Sequence, residues 1–408
     1  MAVSFDDISN AAKLIEGRVL RTPSVRSNAL SRLSGADVVL KLESLQHTSS
    51  FKLRGALVKL LSLSEAEQKT GVVAASAGNH AQGVAYHAKE LNIPATIYMP
   101  VGTSFTKVQR TESYGATVVL EGDGLAEARE RAQVFADANG KQFIHPYDDE
   151  KIIAGQGSVG LELMQDFPDL EILIIPIGGG GLIAGSAIAA KQANPDIEII
   201  GVEAELYPSM KGAINGAPDT SGGQTVAEGI AVKTPGNLTR PIIEERVSDI
   251  LLVSESALEL AVQVYLESQR LVVEGAGAAP LAALLENPER FKGKKVGLIV
   301  SGGNIDSRLL SSILMRGLVR QGRLARLRLS ISDSPGALAI VSRLIGDNGG
   351  NIIEVYHQRL FYDIPVKLAE IDVVVETLDT IHVERIIEKL INAGFQVRRL
   401  GGTSTDGG

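Results

Sequence analysis

The sequence predicts an α/β protein built on parallel sheet, followed by a smaller βαββαβ domain of ferredoxin-like order. Three observations predict it. Short apolar, strand-like runs alternate with helical stretches through most of the chain. Glycine-rich segments stand directly after several of those strands. Near Arg316 the alternation stops and a different order begins.

In chain order, strands are expected at 37–41 and 71–75, with a helix at 80–91 following the second at once. Further strands are expected at 94–99, 116–120, 171–177, 197–202 and 295–300. Short apolar strands separated by helices imply a parallel sheet covered on both faces. Ligands of such sheets sit at the carboxyl ends of the strands. The segments Ser76-Ala77-Gly78, Gly178-Gly179-Gly180-Gly181 and Ser301-Gly302-Gly303 all fall at such ends.

The run 316–323 is basic and glycine-bearing and reads as a linker. After it come a strand (325–331), the turn Asp333-Ser334-Pro335-Gly336 and a helix (337–347). Strands at 351–360 and 368–377, a helix at 380–393 and a strand at 395–400 complete the βαββαβ order. Leu338, Val341, Leu344 and Ile345 mark one face of the first of these helices. Ser334 is expected as its N-cap, with Pro335 at the first helical position. The glycine-rich tail 401–408 is expected to be disordered.

Composition narrows the function. A chain of 408 residues should hold two or three domains. It contains no cysteine, which excludes disulfides, thiolate metal sites and cysteine nucleophiles. The net charge of −8 argues against nucleic acid as a partner. No stretch is long and apolar enough for a membrane span, and the first residues lack the pattern of a signal peptide. A cytoplasmic location is therefore expected. The six histidines are scattered without metal-site spacing, and no metal is assigned.

Four segments carry the chemistry. The first is Ser49-Ser50-Phe51-Lys52-Leu53-Arg54-Gly55. Lysine attacks aldehydes only as the neutral amine, and burial lowers its pKa toward that state. Lys52 lies between Phe51 and Leu53, surroundings that favour desolvation. The second segment, Gly178-Gly179-Gly180-Gly181-Leu182, joins a strand to a helix. Its glycines let the backbone aim several N–H groups at one ligand, and the helix N-terminus favours an anion such as phosphate. Gly179, Gly181 and Ala184 also fit a weak dinucleotide fingerprint, with Glu203 about twenty residues on. A nicotinamide-dependent dehydrogenase thus has one foothold, but the other segments have no role in it. The third, Ser76-Ala77-Gly78-Asn79-His80, precedes a helix and can receive a carboxylate on its N–H groups. Taken alone it serves equally well as an ordinary helix cap. The fourth, Ser301-Gly302-Gly303-Asn304, ends a strand and alone reads as a turn.

In this order and spacing the four segments resemble the fold-type II pyridoxal phosphate enzymes, and within them the threonine ammonia-lyases. The resemblance covers nearly the whole chain. It implies two open parallel-sheet subdomains in a catalytic domain at 1–318, the smaller one, about 53–148, inserted in the larger. A linker at 319–326, an ACT-like regulatory domain at 327–402 and a tail at 403–408 would follow. It implies pyridoxal 5′-phosphate as cofactor, carried by Lys52, with Asn79 on its phenolic oxygen and Ser301 on its pyridine nitrogen. Gly178, Gly179, Gly180, Gly181 and Leu182 would hold its phosphate, and Ser76, Ala77, Gly78 and His80 the substrate. A hydroxyl on the pyridine nitrogen makes the ring a milder electron sink than a carboxylate would, which suits β-elimination.

The resemblance implies conversion of L-threonine to 2-oxobutanoate and ammonia, with L-serine as secondary substrate. An amino-acid racemase or a serine-preferring dehydratase on the same scaffold would share the four segments. Serine racemases resemble the chain but carry serine where Ala77 stands. Relatives also carry a cation site with a glutamate resembling Glu203, but the second carboxylate expected after it is missing. The turn Asp333, Pro335, Gly336 and Leu338 is the expected seat of an amino-acid or nucleotide effector, isoleucine or valine first. A non-enzymatic amino-acid sensor would rest on that domain alone. A homodimer or homotetramer is expected.

Overall fold

The computed structural model describes residues 3–358 and 368–401. They form two compact units, one ending at Ile305 and the other beginning at Asp306.

The first unit holds two sheets. The larger runs Ser24–Arg26, Asp37–Leu42, Lys295–Val300, Ile172–Pro176, Glu198–Ala204 and Asp249–Val253 in spatial order. All its neighbours are parallel except the antiparallel edge strand Ser24–Arg26. The smaller sheet runs Thr117–Leu120, Ala95–Met99, Val72–Ala75 and Gln142–Phe143, all parallel. Its strands lie in sequence between the second and third strands of the larger sheet's chain order. The expected strands and the helix of the first unit are present, with ends shifted by a residue or two, as in Asn79–Glu90 for 80–91.

Strands such as Ile172–Pro176 are buried along their whole length, which explains their continuous apolar runs. The helices Lys52–Leu61, Glu150–Asp166 and Gly181–Ala193 pack backbone to backbone. A Cβ on Gly155 would lie 2.6 Å from the Gly55 Cα, and one on Gly185 2.3 Å from the Ile153 carbonyl oxygen. Neither position tolerates a side chain. The helix that begins at Lys52 is therefore held in the centre of the unit.

The second unit begins with the helix Ser307–Arg320. The stretch 319–326, read from sequence as a linker, holds the end of that helix, a short turn and the first residues of the strand Leu324–Ser332. Its four-stranded sheet is antiparallel throughout, in the order Asn351–Gln358, Leu368–Glu376, Leu324–Ser332 and Gln396–Leu400. This is the expected ferredoxin-like order, compatible with an ACT module. Val341, Ile345, Val383, Ile386 and Leu390 from the helices Ala337–Asp347 and Thr380–Asn392 cover one sheet face. The last residues expected in the strand 351–360, and the tail 403–408, lie outside the described residues. One expectation is corrected. Ser334 does not cap the helix and Pro335 is not its first residue: Gly336 is the cap, at φ +90°, and the helix starts at Ala337. Ser334 is bound into the preceding turn, its N–H donating to the Ser332 carbonyl at 2.8 Å. The left-handed conformation at Gly336 favours glycine and delays the helix start.

Candidate active site

Lys52 opens the helix Lys52–Leu61, and the loop before it is stitched to the end of the strand Lys295–Val300. Phe51 N donates to the Ser301 carbonyl at 3.1 Å, and Gly303 N to the Ser49 carbonyl at 2.9 Å. These bonds bring the first and fourth sequence segments together. The Lys52 amine donates to the Pro146 carbonyl at 3.0 Å and lies 5.2 Å from the centre of the Phe51 ring. Burial pulls its pKa down to about 8, the charge of Glu274 opposing the shift. About a tenth of the amine is then neutral at pH 7, against roughly one part in a few thousand for an ordinary lysine.

The glycine loop leaves its strand at Ile177 and enters the helix Gly181–Ala193 through Gly180, at φ +95°. Among the described residues, no protein acceptor is recorded for the N–H groups of Gly178 to Leu182. All of them except Gly178 are buried. Buried donors without partners call for an anionic ligand. A phosphate at the head of a helix meets that need, so the loop fits the phosphate of pyridoxal phosphate.

The third segment follows the strand Val72–Ala75 of the smaller sheet, and its Asn79 meets the fourth segment. Asn79 Nδ2 donates to Glu274 Oε1 at 2.7 Å, and Asn304 Nδ2 donates to Asn79 Oδ1 at 2.7 Å. Asn304 also donates to the Thr48 carbonyl at 2.8 Å and accepts from Arg110 at 2.8 Å. Gly302 leaves room for the carboxylate: a Cβ there would lie 2.3 Å from Glu274 Oε1. Burial raises Glu274 to about 7, although the Asn79 hydrogen bond opposes the shift. In the sequence Glu274 is an isolated acid and Asn304 merely closes the fourth segment. The glycine-rich start of the helix at Gly275 was the available signal.

His80 is buried, and its Nε2 sits 2.9 Å from the Ile144 carbonyl oxygen. That carbonyl can only accept, so Nε2 carries the proton and Nδ1 is left as an unpartnered buried acceptor. Burial, helped by the charge of Lys52, lowers its pKa to about 3, so the ring is neutral near pH 7. Ser76, Ala77 and Gly78 are half-exposed, and the Ser76 hydroxyl accepts from Gly78 N at 3.1 Å. The hydroxyl still has a proton to donate. Ser301 is buried at its strand end.

Directly behind Lys52 lies a network that sequence reasoning missed. Arg54, fully buried, donates to both oxygens of Glu43 and both of Glu162, at 2.7–2.9 Å. Lys41 donates to Glu162 at 2.6 Å, and Thr22 to Glu43 at 2.5 Å. Burial alone would lower the Arg54 pKa, but Glu43 and Glu162 outweigh it and hold the guanidinium above its ordinary value.

The remaining candidates fall elsewhere. Glu203 accepts from Met210 N at 2.8 Å and Lys211 N at 3.0 Å, and so anchors a short helix. Among the described residues no group of three or more His, Cys, Asp or Glu is placed to hold a metal, and no helix is long and apolar enough to cross a membrane. Asp333, Pro335 and Gly336 form an exposed turn in the second unit, with Leu338 packed against its core.

A family model described as "Pyridoxal-phosphate dependent enzyme" matches residues 15–302. The chain is 43% identical over 401 residues to an L-threonine ammonia-lyase of Thermotoga maritima, covering 98% of this chain and all of the relative. It is 43% identical over 317 residues to the catabolic L-threonine dehydratase TdcB of Escherichia coli, covering 77% of this chain and 96% of that protein. Among solved structures, the processed form of threonine deaminase isoform 2 from Solanum lycopersicum superposes with a TM-score of 0.71 at 33% identity, covering 76% of this chain and 94% of that one. Serine racemase of Dictyostelium discoideum does so with a TM-score of 0.70 at 35% identity, covering 75% of this chain and 100% of that one. The chain belongs to the pyridoxal-phosphate-dependent enzymes and, within them, to the threonine ammonia-lyases.

Proposed function

We propose that the chain converts L-threonine to 2-oxobutanoate and ammonia, and L-serine to pyruvate more slowly. The observation that carries this reading is the Lys52 amine, lowered to about 8, set at the hydrogen-bonded junction of Ser49–Phe51 with Ser301–Gly303. When bound, pyridoxal phosphate supplies an electron sink for the pair left at Cα once its proton is gone. The residues of the chain do the rest. Lys52 would hold the cofactor, and its Nζ, free once the substrate is bound, would take the Cα proton. Gly178 to Leu182 would hold the phosphate with the N–H groups that lack protein partners. Ser301 would offer its hydroxyl to the pyridine nitrogen, and Asn79, fixed by Glu274 and Asn304, would meet the phenolic oxygen. Ser76, Ala77 and Gly78 would receive the substrate carboxylate on hydroxyl and N–H groups, and His80 would contribute its backbone N–H, since its neutral ring donates to the Ile144 carbonyl and its Nδ1 can only accept. Water is lost from the β-carbon side and regained when the product hydrolyses, so threonine yields 2-oxobutanoate and ammonia in balance. A keto-acid assay on purified protein tests this. Release of 2-oxobutanoate from L-threonine supports the reading, and its absence from cofactor-loaded protein refutes it.

Racemisation is the reading to separate from it, since a serine racemase is among the structural neighbours. Racemisation needs a second proton donor on the opposite face of the planar Cα. Ala77, in the carboxylate loop, has none to give. D-serine formation from L-serine should therefore be minor. Ala77→Ser should raise it relative to pyruvate by on the order of tenfold. Chiral chromatography of products measures both, and comparable D-serine and pyruvate from the wild-type chain would contradict the expectation.

The second unit is a regulatory ACT module in this reading, with Asp333, Pro335, Gly336 and Leu338 at the effector seat. An effector acts only by binding active and inactive arrangements with different affinity. Isoleucine, valine or a nucleotide is the candidate effector, on a homodimer or homotetramer. Threonine saturation curves for the full chain and a chain ending at Gly322 should differ only in their response to these compounds. Equal responses would move the effector seat into the first unit.

A further inference from the structure

The glycine loop is held from outside by the turn 236–239, and that turn is held by Asp148. Thr239 Oγ1 donates to the Gly179 carbonyl at 2.7 Å, and Gly236 N approaches the same oxygen at 3.3 Å. Asp148 accepts on both carboxylate oxygens: Oδ2 from Asn237 N at 3.0 Å and Oδ1 from Leu238 N at 2.7 Å. Asp148 itself is fixed, because its N–H and that of Tyr147 both donate to His145 Nδ1, at 2.8 and 3.3 Å. The neighbouring Tyr147 ring backs the loop so closely that a Cβ on Gly179 would lie 2.2 Å from it. Its hydroxyl donates to the Thr234 carbonyl at 2.9 Å.

A trans peptide is planar, and its C=O and N–H point in opposite directions. Holding the Gly179 carbonyl toward Thr239 therefore aims the Gly180 N–H the other way. That N–H is one of the buried donors without a protein acceptor. We infer that Asp148 is a positioning residue for the phosphate group. Through the turn and Thr239 it fixes the peptide plane whose N–H recognises a phosphate. The inference rests on reading the glycine loop as the phosphate seat.

The test compares two ligands of the cofactor-stripped full chain: pyridoxal 5′-phosphate and pyridoxal, which lacks the phosphate. Binding is followed by absorbance titration. The wild-type chain should prefer the phosphorylated form strongly. Asp148→Asn keeps one acceptor oxygen and turns an NH₂ toward the other backbone N–H. It should cut the preference by about tenfold, the effect of one lost hydrogen bond, and leave pyridoxal affinity unchanged. Thr239→Val removes the hydroxyl at the other end of the same chain and should cut the preference similarly. Because both act through one turn, the double variant should lose little more than either single one. Thermal unfolding of the stripped proteins confirms that both variants fold. An unchanged preference in either folded variant, or equal loss of both ligands, would overturn the clamp. A wild-type chain indifferent to the phosphate would instead overturn the phosphate seat, and the clamp with it.

Discussion

Lys52→Ala is expected to lower threonine turnover by on the order of 10⁴-fold or more, since one amine serves as both anchor and base. The fold should survive. Lys52 is the first residue of its helix, and alanine is the best helix former. Unfolding of the cofactor-free variant checks stability, and the keto-acid assay checks turnover. Appreciable turnover at native-like stability would remove Lys52 from the mechanism. The same amine sets a pH dependence. Its pKa is lowered to about 8, so below that pH the unreactive ammonium prevails. Capture of pyridoxal phosphate by cofactor-free protein should slow about tenfold per pH unit below 8 and level off above it. A rate still climbing steeply from pH 8 toward 10 would mean an ordinary lysine.

Arg54→Ala is expected to cost about 3–5 kcal/mol of stability, a large share of the roughly 5–15 kcal/mol typical of a folded protein. Removing the guanidinium leaves the fully buried Glu43 with Thr22 alone, and the partly buried Glu162 with Lys41. Arg54→Lys keeps the charge but not the planar fork that bonds four carboxylate oxygens, and should also destabilise, though less. Glu43 gives the pH signature. Burial pushes its pKa up, yet the charge and hydrogen bonds of Arg54 hold it below its ordinary value. Its stabilisation is thus full above the ordinary carboxylate pKa of about 4 and fades as the pH falls below that. Denaturant midpoints of wild type and both variants measure this. A midpoint unmoved by Arg54→Ala would show that the network does not hold the Lys52 helix.

The parts of this site that were legible in the sequence are those whose chemistry is local. Four glycines between an apolar strand and a helix announce backbone donors, whatever the rest of the chain does. The strands around them were legible because both faces are buried and the runs are apolar throughout. The polar partners were not legible. Asn79 meets Glu274 across 195 residues, Asn304 meets Asn79 across 225, and Arg54 meets Glu162 across 108. Nothing in the residues near Arg54 marks it as a buried ion rather than a solvated one. Asp148 likewise looks like one of several exposed acids until the fold brings the turn 236–239 to it. The N-cap at Ser334 failed for a local reason: the left-handed Gly336 offered a different start to the helix.

The central claim is that Lys52 is the residue that carries the cofactor. Borohydride reduction of the cofactor-loaded full chain, followed by proteolysis and mass spectrometry, tests it most directly. The expected result is a pyridoxyl-phosphate adduct on the peptide containing Lys52, lost in Lys52→Ala. An adduct on a different lysine, or none on protein that still releases 2-oxobutanoate from L-threonine, would contradict the claim.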